Sequence, residues 1–177
     1  MREVIADVDR WLAEGAGDIA LATVVQSWGS APRKAGAKMA FTAAGAAISG
    51  SVSGGCVEGA VIEAGSETLA TGRPQLLHFG VADETAWGVG LACGGTIDVF
   101  VEPLDRATFE VARRWIENGE SGALLTVVRG PDRLLGRKLV AENGAVVSGS
   151  LGPGLDEAAV AVAVATTQPG PAQLSQG

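Results

Sequence analysis

The sequence predicts an α/β protein: a single domain of two pseudo-symmetric strand-strand-strand-helix halves, with a mixed sheet packed against helices. Three observations carry that reading. Short β-branched and apolar runs alternate with segments of helical spacing. Glycine and proline punctuate the boundaries between them. Finally, the second half of the chain repeats the first, since Ala123-Leu124-Leu125-Thr126-Val127-Val128 follows the pattern of Ala20-Leu21-Ala22-Thr23-Val24-Val25, and Gly144 to Ser150 that of Gly45 to Ser51.

The elements follow in order. Val4, Ile5, Val8, Trp11 and Leu12 are spaced as one stripe of a helix over 4–13, which Gly15 and Gly17 end. Residues 19–25 read as a buried strand, followed by a long loop, Gln26-Ser27-Trp28-Gly29-Ser30-Ala31-Pro32-Arg33. Strands are expected over 38–42 and 46–50. A helix over 57–70, ending at Gly72 and Pro74, comes next, then strands over 76–79 and 96–101 and a helix over 107–118. In the repeat Lys138 falls on Lys38, Gly154 on Gly55, Leu155 on Cys56 and Glu157 on Glu58. The loop over 26–36 is about three residues longer than its counterpart over 129–136 and alone carries the Trp-Gly-Ser-Ala-Pro-Arg string. Two copies point to paired halves, whereas a solenoid needs three or more units. The expected domain covers residues 1–165, and 166–177, without apolar periodicity, reads as a disordered tail.

Composition narrows the function. A chain of 177 residues, 47% of them hydrophobic, can bury a core but has no room for a second full-size domain. The formal net charge is -7 and no lysine or arginine cluster exists, so the phosphate-neutralising surface that nucleic-acid binding needs is missing. Acids at Glu3 and Asp7 occupy the place of a signal peptide's apolar core, and no apolar run is long enough to span a membrane; a cytoplasmic protein is expected. The two cysteines fit reduced thiols better than a disulfide framework, with a Cys56–Cys93 bridge as the alternative.

Both cysteines are set among glycines, which free the backbone and let a ligand approach it. Gly50-Ser51-Val52-Ser53-Gly54-Gly55-Cys56 joins a strand to a helix, so backbone N–H groups and hydroxyls can converge on an anion, phosphate above all. It lacks the Lys-Ser/Thr ending of a P-loop. A tight turn without ligand is the plainer reading, and for Cys56 so is a small apolar side chain, because Leu155 stands at the matching place. Cys93 precedes Gly94 and Gly95 ahead of a strand, which excludes a dinucleotide-binding turn, and little surrounds its thiol. Arg33 is a candidate anion partner. His78, the only histidine, reads as a solvent-facing strand residue, and Glu58 as first-turn dipole complementation.

Thr23-Val24-Val25-x-x-Trp28-Gly29-Ser30-Ala31-Pro32-Arg33, then Gly50-Ser51-Val52-Ser53-Gly54-Gly55-Cys56-Val57-Glu58, then Cys93-Gly94-Gly95-x-Ile97-x-Val99-x-Val101-Glu102-Pro103, occur in that order. Together they resemble the XdhC/CoxI family of molybdenum-enzyme accessory proteins over about residues 19–104. The resemblance implies a non-enzymatic chaperone that binds molybdenum cofactor (molybdopterin, with or without a nucleotide extension) and helps its sulfuration and insertion into a client molybdoenzyme of the xanthine dehydrogenase or carbon monoxide dehydrogenase type. It further implies a cysteine desulfurase as partner and a homodimer, and, for the Rossmann-like domain that many members carry after this region, either a separate chain that supplies it or a reduced member with only the cofactor site. On this reading Cys93 touches the metal, Cys56 lines the pocket, and Ser30, Arg33, Ser51, Ser53, Gly54, Gly55, Gly94 and Gly95 complete the cofactor site. The alternatives are an enzyme using Cys93 or Cys56 as nucleophile, and a protein-docking subunit without ligand.

Overall fold

The computed structural model describes residues 1–80, 91, 94–166 and 168–174, apart from the side chain of Ala44. Two compact units emerge, Met1–Leu104 and Asp105–Gly177. The α/β class and the repeated strand-strand-strand-helix plan hold. In place of one mixed sheet there are two antiparallel sheets, each with its own hydrophobic cluster.

The first unit opens with helix α1 (Ile5–Ala13), whose Val8 and Trp11 are buried as the apolar stripe requires. Strands β1 (Ile19–Trp28), β2 (Lys38–Thr42) and β3 (Ile48–Gly50) follow, with a single 3-10 turn over Ala43–Gly45 between the last two. Helix α2 (Glu58–Thr71) ends at Gly72 in the left-handed region, where glycine carries no steric penalty. Strands β4 (Gln75–Phe79) and β5 (Thr96–Pro103) complete a five-stranded sheet in the order β3-β2-β1-β5-β4. One sheet face packs on α2: Val57, Val61 and Ala64 meet Phe41, Leu77, Phe79, Ile97, Val99 and Val101. The closest approach is at Gly65, where a Cβ would lie 2.3 Å from the ring of Phe41.

The second unit holds α3 (Arg106–Asn118), β6 (Ala123–Thr126), β7 (Lys138–Glu142), β8 (Ala145–Gly149) and α4 (Asp156–Ala165). Asp105 caps α3, accepting from Thr108 N at 2.8 Å. A sheet in the order β6-β7-β8 packs Leu139, Ala141, Leu151, Leu155 and Ala159 into one cluster, on which Leu174 also rests.

The internal repeat is visible in the bonding. Val24 N donates to Ala37 O and Gly36 N to Val24 O; Val127 N and Gly136 N repeat this with Arg137 O and Val127 O. The first loop is thereby three residues longer, as the sequence comparison indicated. Gly50 and Gly149 both have positive φ, and at each a Cβ would lie 2.2 Å from the carbonyl oxygen of Lys38 or Lys138.

Candidate functional site

Strand direction gathers the sequence motifs. β2 is antiparallel to β1 and β3 antiparallel to β2, so β1 and β3 run the same way, while β5 is antiparallel to β1 and β4 to β5. The loop leaving β1, the turn leaving β3 and Gly94-Gly95 entering β5 therefore lie at one end of the first sheet. Two contacts join them. Gly95 takes the loop so closely that a Cβ there would sit 2.4 Å from Ala31 N, and a Cβ on Gly29 would sit 3.6 Å from Gly95 Cα. On the other side Arg33 Nε donates to Ser51 O at 3.1 Å, and the same guanidinium pairs with Glu3, whose other oxygen accepts from Lys38 N at 2.6 Å.

The turn itself differs from expectation. Its donors converge on an anion, and that anion is the carboxylate of Glu58. Oε1 accepts from Ser51 Oγ (2.6 Å), Val52 N (3.2 Å) and Ser53 N (2.9 Å), while Oε2 accepts from Ser53 Oγ and from Gly55 N (2.9 Å). Gly54 N donates to Ser51 Oγ at 2.8 Å. Partial burial pushes the Glu58 carboxyl up, but the serine hydroxyls and the backbone donors outweigh it and bring its pKa down to about 2. Glu58 is thus the closing group of the turn, beyond first-turn dipole complementation. Ser53 is buried, with its hydroxyl also accepting from Val57 N at 3.0 Å. Gly54, Gly55 and Cys56 are exposed, and Cys56 is a free thiol. Cys93 itself, expected at the metal, lies outside the described residues.

The second copy corrects the register used for Cys56. α4 starts at Asp156 as α2 starts at Glu58, and Leu155 and Val57 hold the same place before each helix. Asp156 takes the part of Glu58: Leu151 N donates to it at 2.7 Å, and the hydroxyl of Ser150 and the amides of Leu151 and Gly152 hold its carboxyl below the ordinary range. Leu155 therefore matches Val57, Asp156 matches Glu58, and Ser53-Gly54-Gly55-Cys56 faces the three residues Gly152-Pro153-Gly154. A one-residue offset misled the sequence comparison because the second copy carries two acids, Asp156 and Glu157, at its helix start where the first carries Glu58 alone. Cys56 has no apolar counterpart.

His78 is exposed, as expected, and Nδ1 lies 2.6 Å from the buried carboxylate of Asp98. That partner was missed, although the cross-strand register alone would give it. His78 alternates with Leu77 and Phe79, which face α2, so its side chain is on the opposite sheet face. β3 and β4 are opposite edges of the sheet, about 19 Å apart at ordinary strand spacing. The fold therefore does not pair His78 with Cys56. Among the described residues no group of three or more His, Cys, Asp or Glu side chains is placed to hold a metal ion, and no helix is long and apolar enough to cross a membrane.

An α/β unit with a thiol-bearing glycine turn at one sheet end can be compared with known proteins. Residues 11–80 match the model of the XdhC and CoxI family. The chain is 37% identical over 117 residues to a probable xanthine dehydrogenase subunit of Bacillus subtilis (strain 168), covering 62% of this chain and 34% of that protein. It is 40% identical over 82 residues to the uncharacterized protein YqeB of Escherichia coli (strain K12), covering 46% of this chain and 15% of the relative. In fold it resembles a crystal structure described as a xanthine dehydrogenase from Bacillus halodurans, with a TM-score of 0.66 at 23% identity, covering 82% of this chain and 45% of that one. The chain thus spans about a third of the first relative and less than half of the solved structure.

Proposed function

We propose that this chain is a non-enzymatic accessory protein that holds molybdenum cofactor as cargo for a xanthine dehydrogenase-type or carbon monoxide dehydrogenase-type client and assists its sulfuration and insertion. The observation that carries the reading is the convergence, in one unit, of the Trp28–Arg33 loop, the Gly50–Cys56 turn and Gly94-Gly95 at a single sheet end. The first two lie within the residues that match the family model, and the third belongs to the motifs by which the sequence resembles the family.

The residues fit one end of such a cargo better than the other. Cys56 offers an exposed sulfur beside the open backbone of Gly54 and Gly55, and soft thiolate ligands suit molybdenum and its dithiolene. Cys93 is proposed as the second sulfur, next to the exposed Gly94. The phosphate end does not fit the turn, because Ser51, Ser53 and Gly55 already serve Glu58 and the hydroxyl of Ser53 is buried. We assign the anionic end to the exposed Ser30 and Gly94 instead, with Arg33, whose guanidinium serves Glu3 and Ser51 O, bracing the loop beside them. A cysteine desulfurase, a chain supplying a Rossmann-like domain, a second copy and a cytoplasmic setting complete the proposal. Titration of apo protein with purified molybdopterin, followed by pterin fluorescence, tests it: saturable binding near one cargo per chain or per dimer is expected, and binding no tighter than to an unrelated acidic protein overturns it.

A further inference from the structure

We infer that Ser53 is the positioning residue of Cys56, a bracing element added to the thiol-bearing copy of the repeat. The two copies separate what the fold needs from what this copy adds. Both use a serine at the start of the turn and a carboxylate at the first helical residue, and both tie the next two amides to that carboxylate. The first copy then has one more residue and two further ties: Ser53 Oγ to Glu58, and Gly55 N to Glu58 at 2.9 Å. Ser53 Oγ also accepts from Val57 N at 3.0 Å. The amides immediately before and after Cys56 are therefore both anchored, one through Glu58 and the other through Ser53, while the thiol stays exposed.

One further tie along that stretch runs from Gly54 N to Ser51 Oγ at 2.8 Å, upstream of the thiol. Gly54 and Gly55 have φ of 81° and 115°, and a Cβ on either would meet no atom within 4 Å, so packing does not set the shape. In the second copy Gly152 replaces Ser53, Pro153 restricts the backbone by its ring, and no thiol is presented. The amide matching Val57 N, that of Leu155, is held there by Gly152 O at 3.1 Å, so the shorter turn enters its helix without a hydroxyl and the longer, thiol-bearing turn uses Ser53 Oγ in that place. Its effect is to fix the backbone after the sulfur directly and to hold Glu58 Oε2, the oxygen that anchors the amide of Gly55 before it.

The reading of Cys56 as a cargo contact comes from the function proposed above, but the brace is measurable without cargo. In apo protein carrying Cys93→Ser, so that Cys56 is the single thiol, Ser53→Ala is expected to change the rate of alkylation by iodoacetamide by about fivefold or more, as local loosening of a surface turn does. Ser150→Ala, which removes the shared serine from the other copy, should lower thermal stability and leave the rate within about twofold. In protein with both cysteines, Ser53→Ala should lower cofactor retention about tenfold and Ser150→Ala should not. Equal alkylation rates for Ser53→Ala and its parent, or an equal change from Ser150→Ala, overturn the brace. If parent protein retains no pterin, the carrier reading fails and the alkylation rates still decide the brace.

Discussion

Replacing Glu58 by Gln removes the charge on which five donors converge while keeping the side chain's size, and its effect should depend on pH in a defined way. The carboxyl is held at about 2 against an ordinary 4.5. At about 1.36 kcal/mol per pH unit that interval sets an upper bound of roughly 3 kcal/mol. Glu58 is half-buried, so solvent screening reduces the expected contribution to about 1–2 kcal/mol. Because the folded-state value is depressed, the contribution is fully present above pH 4.5 and is lost as pH falls through about 2. Thermal melts of native protein and Glu58→Gln should therefore differ by about 5–10 °C at pH 6–7 for a unit of this size, and the gap should close toward pH 2. A gap of the same size at pH 2.5 and pH 7 would refute the charge as its cause and leave only the altered shape of the side chain.

Other substitutions test the packing and the site. Gly65→Ala forces a methyl against the fully buried ring of Phe41 and should cost about 1–3 kcal/mol in chemical denaturation; no loss would mean that the ring can yield. Gly95→Ala should push the 30–31 loop off β5, shifting the emission of the half-exposed Trp28 and weakening cofactor binding about tenfold, and an unchanged spectrum would contradict the close contact. Cys56→Ser should reduce molybdenum retention about tenfold with a melting shift under about 2 °C, because an exposed side chain contributes little to stability. A large melting shift would return Cys56 to a packing role.

Much of this arrangement could be read in the residues. Local periodicity found α1, α2 and α3 to within a residue or two, since each has an apolar stripe and a glycine at or just beyond its end. Self-similarity found the second copy of the strand-strand-strand-helix plan and the three-residue loop difference. Two things escaped. The number of sheets depends on which strands pair, and nothing local in 96–103 says that this strand lies beside 19–28 and not beside the second copy. The resident of the anion site was hidden for another reason. Glu58 follows its donors by only a few residues, so its charge was credited to the helix dipole, and a carboxylate folding back over the turn preceding it looks the same in sequence. The offset of one residue between the copies had the same root, as Asp156-Glu157 offers two acids and only the bonding identifies Asp156 as the one that closes the turn.

The central claim is that the sheet end carrying Cys56 holds molybdenum cofactor without consuming it. Protein purified from a host that makes the cofactor, analysed for molybdenum by mass spectrometry and for pterin after oxidation, tests this most directly. The account predicts molybdenum and pterin in equal amounts, near one per chain or per dimer, and a large loss of both in Cys56→Ser. Metal-free, pterin-free protein from a host whose molybdoenzymes are fully loaded, or retention untouched by that substitution, would contradict it.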